Sequence, residues 1–248
     1  MTVTAGALIG LLALLQDAKD IQPAILRFTQ DYYKSSADLD DKISAVNYLG
    51  QYRHEKVVRV LSPLLCEATI PVRIMVARSF ARFCNIELAP KELLNGLHSQ
   101  ANSGKKQMSV RIEILRALGD LKYKPAAASI ARFVEDKEVW VAKAAIDASG
   151  KIKFAEAIAP LIKALHRIEG KEGDAEVTVD PLDGILEGVD AGSLFKRDPR
   201  EPKRPSVREL LRDPIVESLR KLTGQSYSAA KDWDAWWQKN RAGFKLPD

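Results

Sequence analysis

Histidine and cysteine are scarce in this chain, three and two residues out of 248. Metal sites and activated nucleophiles need clustered ligands or an oriented base, and this scarcity argues against both. His54, His98 and His166 lie far apart, and none has a ligand-type residue four positions away. The patterns HExxH, GxSxG, GxGxxG and the phosphate-cradling glycine loop are missing, and Gly104-Lys105 lacks the upstream glycine that such a loop requires. The expectation is a protein that is not an enzyme, with no catalytic residue, no cofactor and no metal. Cys66 and Cys84 read as two small hydrophobes, with a disulfide as the alternative in an oxidising compartment.

A long hydrophobic run is also lacking. Residues 5–15 form an uncharged apolar stretch of eleven, well short of the roughly 20 needed to cross a bilayer. No membrane span is expected in the mature chain. The run has the length of a signal-peptide core, so residues 1–18 read as a signal peptide and the protein as exported, to a periplasmic compartment, over cytoplasmic. No Lys or Arg precedes the run and no small-x-small cleavage site follows it. A first helix packed on the end of the fold is the alternative. The net charge is +5 with pI about 9.1, spread along the chain, which points only generally to an anionic partner.

What the chain does contain is a recurring unit. Runs ending in a small residue appear at 45–50 (AVNYLG), 76–81 (VARSFA), 114–119 (ILRALG), 145–150 (AIDASG) and 219–224 (LRKLTG). The anchors Gly50, Ala81, Gly119, Gly150 and Gly224 recur at intervals of 31, 38, 31 and 74. The polar stretch HSQANSGKK at 98–106 holds the surplus of the second interval, and a Gly/Pro-rich segment holds that of the last. A fixed period of this size is the mark of a helical repeat array. In the third copy Val110, Ile114, Ala117, Leu118 and Leu121 share a helical face. A turn with Lys124-Pro125 follows, then a second helix over AAASIARFVED. Pro63 falls inside KVVRVLSPLL, where it should kink the helix. No stretch alternates like a strand.

The pair Val-Arg at 72–73 and 110–111, followed by an apolar run ending in Leu-Gly at 49–50 and 118–119, resembles the HEAT-repeat family, in its short bacterial, armadillo-like form. The resemblance covers 38–169 well and 206–244 less well. It implies an all-α, right-handed α-solenoid of about five HEAT-like helical hairpins. It also implies that the stretch in question is the second helix of each pair, lining a concave face. Arg73 and Arg111 resemble the family's structural arginine, which ties one repeat to the next. The fourth copy departs from the pattern with Ala142, the first with Asp41-Lys42 and the fifth with Pro214, for which Asp213 as N-cap and Pro214 at the first helical position is expected. The organisation read from this is a repeat region over 19–169, a Gly/Pro-rich charged loop over 170–205, and a last repeat with a Trp-rich C-terminal cap over 206–248.

Superposing the copies places Asn47, Arg78, Arg116, Asp147 and Lys221 three residues before each anchor. Gln51, Arg82, Asp120, Lys151 and Gln225 fall one after it. The two sets are four apart and share a helix face. Arg78, Arg82 and Arg116, with Lys143 and Lys151, are the candidate binding residues. The same cations also suit ladders of ion pairs between neighbouring repeats. The expected function is a non-catalytic protein-protein interaction scaffold, taking a protein or peptide partner, an acidic one included, on this face. A nucleic-acid-binding module using the basic stripe is the first alternative. A lyase-type enzyme is the second, since some relatives of this fold are bilin lyases and others excise alkylated bases. No motif of either activity is matched here.

Two segments lie outside the pattern. Residues 171–190 carry seven acids and one base, and 196–212 seven bases and three acids. The C-terminal stretch places Trp233, Trp236 and Trp237 on one side of a helix that Ser228 should cap and that should run to about Asn240. The expectation is a lid over the apolar end of the last repeat, with a stacking platform for a sugar or base as the alternative.

Overall fold

The computed structural model describes residues 21–170 and 206–247. The signal-peptide expectation at 1–18 and the charged loop, Gly170 apart, lie outside the described residues. The chain divides into two compact units, Met1–Asn102 and Ser103–Asp248, and every described regular element is a helix.

In the first unit α1 (Ile21–Tyr32) buries Ile21, Ala24, Phe28 and Tyr32, the spacing of a single stripe. It packs on α2 (Leu39–Leu49). The start of α2 is fixed by a capping box. Asp38 Oδ1 accepts from the Asp41 amide at 2.8 Å and Asp41 Oδ2 from the Asp38 amide at 3.4 Å, which satisfies two of the orphan donors. Next come α3 (Glu55–Leu61) and α4 (Leu64–Glu67). Pro63 separates them, because a residue with no N–H cannot continue the ladder, so the expected kink is a break. His54 is the N-cap of α3, its Nδ1 accepting from the Lys56 amide at 3.0 Å. Helix α5 (Ile70–Phe80), with Pro71 in its first turn, packs on α2, and α6 (Leu88–His98) closes the unit.

The second unit opens with α7 (Met108–Asp120) and α8 (Ala127–Phe133). After these come α9 (Val139–Ile152), α10 (Ile158–Glu169), α11 (Val207–Thr223) and α12 (Ala230–Asn240). Helix α9 lies between α7 and α11, and α10 packs on both α11 and α12. Within each unit helix packs on neighbouring helix, consistent with the expected helical-hairpin stacking. Lys122 and Lys153, one repeat period apart, both have positive φ (51° and 57°). Lys153 is the left-handed cap of α9 and Lys122 lies one residue past the cap of α7, and an L-residue enters such a φ only at a cost of about 1 kcal/mol or more. Tyr123 and Phe154 follow them at the same period.

The close approaches between helices explain the glycine anchors. A Cβ added at Gly50 would run into Ser79 Oγ. One at Gly119 would sit 3.0 Å from Ala148 Cα, and one at Gly150 2.8 Å from Ser218 Oγ. Each glycine thus lets the next helix touch its backbone, and each meets a small residue of that helix. Ser79 and Ala148 stand two positions before Ala81 and Gly150. By the same rule Ser218 makes position 220 the fifth anchor, not Gly224. Gly224 is instead the left-handed end of α11, φ 68°, a position where glycine is favoured for lack of a Cβ.

The start of α11 differs from the sequence expectation in the same direction. Ser206, not Asp213, is its N-cap, with a full capping box to Glu209. Pro214 lies inside the helix. The two reciprocal cap bonds start the helix two turns early, and the helix carries the proline as an internal defect. Ser228 likewise does not cap α12. The orphan amide of Ala230 donates instead to Glu169 Oε2 of α10 at 2.9 Å, while Arg212 of α11 donates to the Ser228 carbonyl at 3.0 Å. Trp233 is fully buried, edge-on to Tyr227 and Trp236. Trp236, Trp237 and Phe244 form a half-exposed ring cluster beside it. The tail covers α10.

Cys66 and Cys84 are free thiols, half-buried and exposed respectively. Neither is the core hydrophobe read from the sequence.

Candidate functional site

The polar column of the second unit lies on α7, α9 and α11. Helix α7 contributes Glu113, Arg116 and Asp120, helix α9 Lys143, Asp147 and Lys151, and helix α11 Glu217 and Lys221. The corrected fifth anchor decides which residues of α11 belong. Three before and one after position 220 are Glu217 and Lys221, so an acid takes the place that the Gly224 register gave to Lys221.

Every cation of this column has a carboxylate. Arg116 Nη1 bonds Glu113 Oε1 at 2.7 Å, Lys143 Nζ bonds Asp147 Oδ2 at 2.9 Å, and Lys221 Nζ bonds Glu217 Oε1 at 2.6 Å, all within one helix. Lys151 Nζ crosses from α9 to Asp120 Oδ1 on α7 at 2.6 Å. The two partners stand one full repeat apart in sequence. The Lys151 stem reaches along the gap left by Gly119, where a Cβ would stand 3.4 Å from its Cδ. The Glu217 carboxyl is held below the usual carboxylate range, first by the hydrogen bond from Lys221 and then by its charge. Arg220 and Lys143 act in the same direction. Lys143 of α9 is therefore within electrostatic reach of α11. The result is a column of four cations and four carboxylates, close to neutral, with alternating sign.

In a double-mutant cycle, Asp120→Asn with Lys151→Met should give a coupling of about 0.2–1 kcal/mol, because both side chains are half exposed. Urea unfolding of the two single variants, the double variant and the parent measures it. A coupling above about 2 kcal/mol, the upper range for groups in direct contact, would mean that the pair holds the repeats together. A small one leaves its role at the surface.

In the first unit Arg78 is exposed on α5. Arg82, one turn on, is exposed with Nη2 3.4 Å from Ser79 Oγ. The structure therefore brings Arg116, Lys143 and Lys151 together on one face of the second unit, and Arg78 and Arg82 on one face of the first. Arg73 and Arg111 do something else. Arg73 Nε donates to the Ala68 carbonyl at 2.6 Å, and its Nη1 to the Ala101 carbonyl at 2.6 Å and to Asn102 Oδ1 at 2.9 Å. Arg111 is 5% exposed and its Nη1 donates to the Gly104 carbonyl. Both guanidinium groups gather loop carbonyls and are spent on structure.

The residue that sequence reasoning missed is Asn102, which has no exposed surface. Its Nδ2 donates to the carbonyls of Leu65 at 3.0 Å and Gly96 at 2.9 Å, while its Oδ1 accepts from Arg73. It closes the end of α4, the end of α6 and the start of α5 onto one amide. Nothing in the stretch HSQANSGKK distinguishes this asparagine from its polar neighbours.

A cleft of about 200 Å³ in the first unit is lined by Arg27, Asp31, Lys34, Asp41, Ser44, Ala45 and Tyr48. The Arg27 guanidinium stands 4.4 Å over the Tyr48 ring. Two bases face two acids there, so it too carries little net charge. Among the described residues no group of three or more His, Cys, Asp or Glu side chains could hold a metal ion. No described helix is long and apolar enough to cross a membrane.

Residues 94–172 match the family model for HEAT repeats. That span holds α7 to α10, with the Gly119–Ala148 contact and the Asp120–Lys151 bridge inside it. Comparison with curated proteins and with solved structures finds no match.

Proposed function

We propose that this HEAT-repeat chain is a non-catalytic scaffold that docks a protein partner on the polar column of its second helices. HEAT repeats are helical scaffolds that typically mediate protein interactions and are generally non-catalytic. The observation that carries the finer reading is the pairing of every cation of the second unit's column with a carboxylate. A polyanion such as nucleic acid is gripped by unneutralised bases and gains affinity by releasing counterions. Here Arg116, Lys143 and Lys151 already have counter-charges, so a polyanion would have to break those pairs or accept the facing acids. A protein surface of mixed sign can match the column without either cost.

Salt dependence tests it. A nucleic-acid complex with 6–10 phosphate contacts loses roughly 10³–10⁵ in affinity between about 50 and 200 mM salt. The partner of this chain should instead stay bound in an affinity pull-down from its native cell at about 0.5 M NaCl, and a labelled DNA or RNA duplex should show no saturable binding at about 150 mM. Tight duplex binding that disappears in Arg116→Glu plus Lys151→Glu would replace the scaffold reading with the nucleic-acid one.

A further inference from the structure

Trp140 opens α9 and is half-exposed, yet its indole Nε1 is buried and has no hydrogen-bond partner. An amphipathic indole at a surface ordinarily turns its N–H to water and its carbons to the core. Trp140 does the reverse, so what its ring shows to solvent is carbon. The backbone contact Gly119–Ala148 sets an offset of 29 between α7 and α9, which puts Trp140 level with Arg111, next to Ile112. Ser109 is about nine-tenths buried and its Oγ also lacks a partner. Each of the two helices thus carries a buried polar atom without a partner near its start. Ile112 is half-exposed and, at that offset, one residue from the level of Trp140. Immediately beyond lie the Lys143–Asp147 and Glu113–Arg116 pairs, one of each sign on each helix.

We propose that Trp140, with Ile112, is the apolar anchor of the docking column, and that it takes an aliphatic or aromatic side chain of a protein segment carrying an acid and a base close by. This rests on the scaffold reading and gives it a centre. A partly buried tryptophan ringed by polar residues is the usual composition of an energetic hot spot. The balanced charge of the rim selects the partner. A segment with only acids meets Asp147 and Glu113, and one with only bases meets Lys143 and Arg116. A segment of both signs pairs with all four.

Panning a random 12-residue phage-displayed peptide library on the full chain, then measuring the enriched peptides by fluorescence polarisation, tests the assignment. The expected consensus is an apolar residue within about a turn of both an acid and a base. Affinity should fall at least about tenfold in Ile112→Glu and in Trp140→Ala, a loss of hot-spot size. It should stay within about threefold in Trp237→Ala, which alters the other half-exposed ring cluster. Trp140→Phe keeps the ring and removes the orphaned donor, so its urea midpoint should be unchanged or higher while peptide binding persists. Ile112→Glu leaves the indole in place and decides the matter even where Trp140→Ala fails to fold. Enriched peptides that bind both variants as tightly as the parent would overturn the anchor while leaving the scaffold reading in place. So would an acid-only consensus whose binding vanishes with salt, or a dimer of the chain that Ile112→Glu dissociates. Enrichment of nothing would remove the scaffold reading with it.

Discussion

Asn102→Leu should destabilise the first unit by about 3 kcal/mol, a large fraction of what a domain of this size commands. The change keeps the branching and the number of heavy atoms, adds bulk, and removes at once the bonds to the Leu65 and Gly96 carbonyls and from Arg73. The Leu65 carbonyl and one Arg73 N–H lose partners where water cannot replace them. The Gly96 carbonyl falls back on a long bond from the Ser99 amide, 3.3 Å. An unmet buried polar group costs about 1–3 kcal/mol, and more where a charged group is involved. Arg73 keeps the Ala68 and Ala101 carbonyls, so its guanidinium is not stranded entirely. Urea unfolding read by circular dichroism gives the size, and amide hydrogen exchange should place the loss in α4, α5 and α6. Asn102→Asp is the companion variant. It preserves the acceptor for Arg73 but turns a carboxylate toward two carbonyl oxygens, and it should recover at most part of the loss. A cost below about 1 kcal/mol for the leucine variant would show that the three helix ends are held by packing alone.

Gly119→Val should cost the second unit about 3 kcal/mol or more, through overpacking. The smaller change Gly119→Ala separates two opposing effects. Alanine gains about 1 kcal/mol of helix propensity over glycine. Its Cβ, however, would lie 3.0 Å from Ala148 Cα and 3.1 Å from Ala148 Cβ. Backbone cannot step aside as a long side chain does, so the clash wins and a net loss of about 1–2 kcal/mol is expected. Gly243 provides the reference, because a Cβ there meets nothing within 4 Å and Gly243→Ala should be near neutral. Adding Ala148→Gly to Gly119→Ala should recover part of the loss, whereas Ala148→Gly alone should destabilise by about 1 kcal/mol. That sign reversal in a double-mutant cycle is specific to contact between the two positions. A stabilised Gly119→Ala would mean that the helices do not meet there.

How far the sequence can be read is clearest at these glycines. The repeat period is visible as letters, and three of the anchors, Gly50, Gly119 and Gly150, do the same physical work. Gly224 defeats a reading of letters because a glycine that ends a helix and a glycine that admits a neighbour look alike in a string. Only the left-handed backbone at Gly224 and the Gly150–Ser218 contact separate them. Pro214 misleads for a related reason. A proline in a helical pattern reads as a start, and nothing local says that Ser206 and Glu209 have already nucleated the helix.

At the candidate site, polarity is legible in the sequence and pairing is not. Residues four apart on one helix can be placed on a common face. Asp120 and Lys151, though one period apart, meet only if the two helices are in phase. Asn102 is beyond reach altogether. Its partners lie 6, 29 and 37 positions away, and a burial made by three remote segments leaves no local trace. Trp140 escapes notice because a single indole inside an apolar-rich helix start looks like core.

The paired left-handed bends at Lys122 and Lys153 have a constructional meaning. A turn whose torsion angles are set by its own backbone delivers the next hairpin at an angle independent of the downstream segment. The stretch between the two bends thus forms a cassette. Copied in tandem, such a block would bring with it its glycine notch and its complementary small residue, Gly150 and Ala148, but only the Lys151 half of its ionic clasp, because Asp120 lies before the first bend.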